Sequence, residues 1–187
     1  MWKQLFLDTI YVPRTAASRL LGLQLARSET WAALALASVL NAIAFFITAL
    51  VFPFTQSPIF EILSPVTMAT LLFVIMIVGA GSLFYAGKFI GGAASFDDVL
   101  VLVTWLQYMR FAVQVIGFGL MLFIPSLANV VMMVASLYGI WILLNFMNEA
   151  QGFDSLGKST ANLLFSFLGL TVVLSILFSV AGLGVVE

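Results

Sequence analysis

Three observations point to an all-α polytopic membrane protein, a bundle of five transmembrane helices led by an amphipathic N-terminal interfacial segment. Of the 187 residues, 63% are hydrophobic and 8% charged, against about a quarter charged in soluble domains. The apolar residues gather in five runs of about twenty, the length that crosses a bilayer as a helix. The 7 Lys and Arg and the 8 Asp and Glu fall between those runs, with Arg110 the exception. A charge at the centre of a spanning helix costs roughly 2.5 to 3.5 kcal/mol by insertion scales, so charge position draws the membrane map.

Residues 1–30 form the first unit, a cytoplasmic interfacial segment, and residues 31–187 the five-span domain. The segment is not a cleavable signal peptide, because Asp8 and Pro13 interrupt its apolar part and no small-residue cleavage site follows. It reads as two amphipathic pieces. Trp2, Leu5, Phe6 and Ile10 oppose Lys3, Gln4 and Asp8 in the first, and Leu20, Leu21 and Leu25 oppose Arg19 and Arg27 in the second. Such pieces lie in the headgroup plane, with the lipid bilayer as their partner; the alternative is a docking arm for another protein.

The spans follow in order. Span 31–52 is closed by Pro53, and span 66–87 is entered after Pro65. Span 99–124 contains Arg110 and ends at Pro125; spans 127–147 and 163–185 complete the set, leaving Glu187 as the tail. Lys3, Arg14, Arg19 and Arg27 precede the first span, Lys88 lies between the second and third, and Lys158 between the fourth and fifth. Basic residues are retained on the cytoplasmic side. The expected location is therefore the plasma membrane, in a bacterium the inner membrane, with the N-terminus cytoplasmic, the C-terminus outside and Glu61 in an outer connection.

Two cytoplasmic connections pair Phe with Asp beside glycine, Gly91 to Asp98 and Gln151 to Ser155. Ser95 and Asp98 have capping-box spacing, which starts the third helix, and Gly152 suits a left-handed end to the fourth. Beside this capping role stands a functional one, in which Phe96, Asp97, Asp98, Phe153 and Asp154 form a cytoplasmic interaction surface.

The five-span layout, the short lead with Pro13 and the Gly91-Gly92-Ala93-Ala94-Ser95-Phe96-Asp97 stretch before the third span resemble the Yip family in its compact bacterial form. That resemblance implies a non-enzymatic integral membrane scaffold or interaction protein, self-associating as a homo-oligomer or with other membrane proteins. Eukaryotic members of that family associate with Rab-type GTPases and carry a long cytoplasmic N-terminal domain. This sequence lacks that domain and its Asp-Leu-Tyr-Gly-Pro type of motif, so Rab binding is not carried over.

Arg110 lies near the middle of the third span. At 100° per residue Gln107, Arg110 and Gln114 share one face, with Gly117 alongside, so they form a polar stripe that should meet protein or water. Depth matching offers Asn41, Trp141, Thr171, Asn145 and Glu149 as partners. Three readings stand: a polar clamp between helices, a solute or ion site, and a helix break that lets Arg110 reach the interface. A span restarting at Phe111 would be too short to cross, which favours one full helix. Gly79, Gly81, Gly117 and Gly119 would let neighbouring backbones approach.

Catalysis finds little support. The chain has no His and no Cys, which removes the Ser-His and Cys-His nucleophile systems and the common zinc sites. Adjacent Asp97 and Asp98 point about 100° apart on a helix and make a poor acid pair. No cofactor is expected, and a net charge of -1 offers no basic face for nucleic acid. The alternative to a scaffold is a small transporter or channel that uses the Arg110 stripe for an anionic solute.

Overall fold

The structure, a computed structural model, describes residues 1–52 and 64–180. Among them the chain forms seven helices: α1 (Trp2–Tyr11), α2 (Pro13–Gly22), α3 (Arg27–Val51), α4 (Pro65–Phe89), α5 (Phe96–Phe123), α6 (Pro125–Gln151) and α7 (Leu156–Val180). The last five are long and apolar enough to cross a membrane. At 1.5 Å per residue, helices of 25 to 28 residues exceed the ~30 Å hydrocarbon core. The protein is a polytopic all-α membrane protein. Pro53, Glu61, Glu187 and the end of the fifth span lie outside the described residues.

Three helices begin before their apolar runs: α3 at Arg27, α5 at Phe96 and α7 at Leu156. Hydropathy marks the length suited to hydrocarbon, whereas hydrogen bonding carries the helix through a polar first turn. In α3 the Glu29 carboxylate accepts from the Ala26 N–H at 2.9 Å. In α4 the Ser64 hydroxyl accepts from the Thr67 N–H at 3.1 Å, and Pro65 occupies the first position, where its missing N–H costs nothing. Pro125 opens α6 in the same way, and Gly152, at φ +65°, closes it in the left-handed region.

Helices α3, α4, α7, α6 and α5 pack in that order around the bundle, with α4 and α5 also touching across it. Arg110 apart, the charged side chains of the described residues sit at one end, here the charged end. The core gathers in the same half: Leu34 of α3, Ala80 and Leu83 of α4, Val99 to Val103 of α5, and Ile142, Phe146 and Met147 of α6.

The N-terminal segment joins that core. Leu5, Ala16, Ala17 and Leu20 are buried in the same cluster, because α2 packs against α6 and α5. Of the apolar stripes expected to face lipid, Leu5 and Leu20 are covered by the protein's own helices, whereas Trp2 and Leu25 stay exposed.

Candidate functional site

Helix α5 is continuous from Phe96 to Phe123, so Arg110 lies at mid-helix, roughly 20 Å from either end. The break that would have freed it toward the interface is absent. Around the helix Gln107 and Gln114 lie about 20° apart, with Arg110 some 40° beyond them. That offset decides its surroundings: both glutamines are half-buried, whereas Arg110 is exposed. Among the described residues Arg110 makes no hydrogen bond or ion pair.

The other members of the predicted cluster separate into different contacts. Asn41 is buried; its amide donates to the Ala37 carbonyl at 2.8 Å and across to the Gln107 carbonyl at 3.2 Å. The Gln107 amide donates to the Met76 sulfur at 2.6 Å. Asn41 and Gln107 therefore join α3, α5 and α4 at mid-bundle. Asn145 donates to the Trp141 carbonyl of its own helix at 2.8 Å, Thr171 to that of Phe167, and Glu149 accepts from the Ser18 hydroxyl at 2.5 Å. None of these meets Arg110.

The charged-end connections are knitted together. Ser95 and Asp98 form the reciprocal capping box, at 3.1 Å from the Asp98 N–H to the hydroxyl and 2.9 Å from the Ser95 N–H to the carboxylate. Phe96 is half-buried with its ring edge-on to Phe84, 6.1 Å between centroids, and Phe153 is buried. Asp97 pairs with Arg27 at 3.4 Å and Asp154 with Lys158 at 3.2 Å. Of the five residues predicted to form an interaction surface, only the exposed Asp97 and Asp154 and the half-buried Asp98 present polar groups. The two phenylalanines pack inward.

A residue outside the predicted set holds these connections. Gln151, 1% exposed, accepts from the Ala93 N–H through its main-chain carbonyl at 2.9 Å and from the Ala94 N–H through its side chain at 3.2 Å. Its amide group fills the space left by two glycines: a Cβ built on Gly87 or Gly92 would lie 2.1 Å from it. Gly117 likewise admits Met132 of α6, whose sulfur would lie 2.6 Å from an added Cβ. Gly79, Gly81 and Gly119 make no such approach.

Further bonds fasten the N-terminal hairpin. Arg14 donates to the Asn148 side chain at 2.8 Å, the Trp105 indole to the Thr9 hydroxyl at 2.9 Å, and the Tyr138 hydroxyl to the Ile10 carbonyl at 2.6 Å. Trp2 stacks on Trp105 at 6.1 Å. Arg19 pairs with Asp8 and ties α2 to α1. Pairing of this kind crosses the sequence without any periodic signal; only the polar Asn145, Asn148 and Gln151 on one apolar helix hint at it.

This architecture, five apolar helices with a short helical lead, agrees with a comparison of the sequence against known families, in which the Yip1 domain matches residues 7–178. The chain belongs to the Yip1 domain family. The match takes in the N-terminal hairpin from Leu7 onward as well as all five apolar helices, in keeping with their common core. No curated protein and no solved structure matches the chain.

Proposed function

We propose that this Yip1-domain protein is a non-enzymatic membrane scaffold that associates with further copies of itself, and that Arg110 forms part of the self-contact. The observation that carries this reading is an exposed arginine at mid-span with no partner among the described residues of its own chain. Ionisable residues at membrane depth face protein or water and are paired, because hydrocarbon offers a guanidinium no acceptor. A second copy supplies acceptors at matching depth. The charge distribution favours a cytoplasmic N-terminus and an outer C-terminus in a bacterial inner membrane. The lack of His and Cys supports a role without catalysis.

The test reconstitutes wild type and Arg110→Leu in liposomes, follows association by energy transfer between labelled copies, and measures anion flux alongside. Arg110→Leu is expected to weaken association about tenfold or more, with no flux from either protein. Unchanged association overturns the proposal. Wild-type flux abolished by the substitution establishes the transporter instead.

A further inference from the structure

Between the N-terminal hairpin and the bundle lies a chamber of about 410 Å³, walled by Trp2, Leu20, Ala33, Thr104, Trp105 and Tyr108 among others. Its size falls within the roughly 300 to 1,000 Å³ of ligand pockets. A vestibule of about 90 Å³ adjoins it at the charged end, sharing Leu20, Leu25, Thr30 and Val101 with the chamber and adding Arg27, Asp97 and Asp98. The two share four lining residues, and the lining turns from apolar in the first to charged in the second. Arg27 and Asp97 stand in the first turns of α3 and α5, and Tyr108 lies about 17 Å further along α5 at 1.5 Å per residue.

Below the vestibule the wall is hydrocarbon and aromatic surface, its few polar groups mostly turned away. The Tyr108 hydroxyl donates to the Ala33 carbonyl at 2.8 Å and the Trp105 indole N–H to Thr9 at 2.9 Å. The Thr104 hydroxyl differs: it is buried at 5% exposure and has no partner among the described residues. Gln24, a non-glycine residue at φ +46°, turns the chain between α2 and α3 so that Leu23 and Leu25 line the chamber while Gln24 lines the vestibule.

The vestibule combines one cation with two carboxylates, Arg27 standing 3.4 Å from Asp97 and Asp98 held by Ser95. The first turns of α3 and α5 already hold Glu29, Asp97 and Asp98, so the Arg27 guanidinium is the vestibule's anion-binding group. A guest that satisfies both signs carries a phosphate and an ammonium together, and a guest that fills the chamber carries a hydrocarbon chain. We propose that the chamber and vestibule bind a membrane phospholipid with a zwitterionic primary-amine head group. Its phosphate meets Arg27, its ammonium meets Asp97 and Asp98, and one acyl chain occupies the chamber. Depth agrees with this assignment, since the charged mouth lies at headgroup level and the apolar part beneath it. This inference does not depend on self-association.

The test is native mass spectrometry of the purified 187-residue chain titrated with phosphatidylethanolamine, phosphatidylcholine and phosphatidylglycerol of identical acyl chains. Wild type is expected to retain the ethanolamine lipid at least fivefold better than the other two. Choline offers no N–H to the carboxylates, and glycerol offers no positive charge. Asp97→Asn should reduce that preference to less than twofold, and Arg27→Gln should weaken all three lipids. Both side chains are more than half exposed, at 55% and 69%, so neither change disturbs the core. Ala33→Trp, which fills the chamber, should lower binding of every lipid tenfold. Equal binding of the three lipids by wild type overturns the proposal, as does a folded Ala33→Trp protein with undiminished binding. If that variant does not fold, Asp97→Asn decides: a preference that persists overturns the proposal, and one that is lost supports it.

Discussion

Replacing Gly87 with alanine should destabilise the protein when Gln151 is present and stabilise it when Gln151 is alanine. In the wild type the three atoms nearest a Cβ on Gly87 all belong to the Gln151 side chain, at 2.1, 2.4 and 2.9 Å. Gln151 is 1% exposed and tied to the Ala94 N–H, so it cannot swing aside without breaking that bond. Overpacking of this kind costs about 1 to 3 kcal/mol. Gln151→Ala alone leaves the buried Ala94 N–H without its acceptor and opens a void, a combined loss of about 2 to 4 kcal/mol. Once the glutamine side chain is gone, the clash at Gly87 goes with it. What remains is the replacement of glycine by alanine inside α4, favourable by about 0.5 to 1 kcal/mol. The cycle therefore predicts a coupling of about 2 kcal/mol or more, toward the upper end of the ~0.5 to 3 kcal/mol found for residues in contact. Reversible unfolding in mixed micelles with increasing SDS, followed by helicity, measures all four corners. Additivity within about 0.5 kcal/mol, or the same sign for Gly87→Ala in both backgrounds, would refute the latch.

Two further outcomes probe the other contacts. Asn41→Ala removes the bond to the Gln107 carbonyl across α3 and α5 and should cost about 0.6 to 1.7 kcal/mol in the same unfolding assay, while Thr48→Ala, which loses only a bond to the Ala44 carbonyl of its own helix, should cost less. Trp105→Phe removes the indole N–H that reaches Thr9 and should raise tryptic cleavage at Arg14 and Arg19 severalfold, with the helicity of the bundle unchanged.

The spans were legible because hydrophobic length is a local property. Among the described residues every apolar run lies in a helix, and Ser95, Asp98 and Gly152 cap where their chemistry said they would. Hydropathy alone places the starts of α3, α5 and α7 too late, because it falls at the polar first turn while hydrogen bonding does not; for α5 the Ser95 capping box marked the start that hydropathy missed. The polar cluster was less legible. Depth matching offered Asn41 at the level of Arg110, since helices that alternate in direction fix height, and Asn41 bonds the Gln107 carbonyl of that helix rather than Arg110. Height alone does not fix rotation, and a turn of some 40° on α5 separates the half-buried Gln107 and Gln114 from the exposed Arg110. Gln151 stood out only as a polar residue on an apolar helix; its role was not legible, because it depends on Gly87 and Gly92, more than fifty residues away, and glycine at those positions reads as ordinary helix and turn.

The distribution of packing bears on why Arg110 is placed where it is. The buried side chains, apolar and polar alike, concentrate in the charged-end half, from Val99 and Leu100 on α5 to Phe146 and Gln151 on α6, while Tyr85, Phe89 and Phe167 on its outer faces are exposed. In the far half, Leu122, Phe123, Leu127, Val130, Met133 and Leu137 are exposed. Water would penalise that surface heavily; lipid does not, because hydrocarbon tails solvate leucine as well as another leucine does. The far half can therefore stay open without cost, and only a specific contact gives a reason to close it. Arg110 stands at mid-helix on the border between the two halves, and its guanidinium is the group that lipid solvates worst. A second copy that satisfied it would draw together surfaces that apolar side chains alone leave indifferent, so one arginine would set both the depth and the partner of the contact.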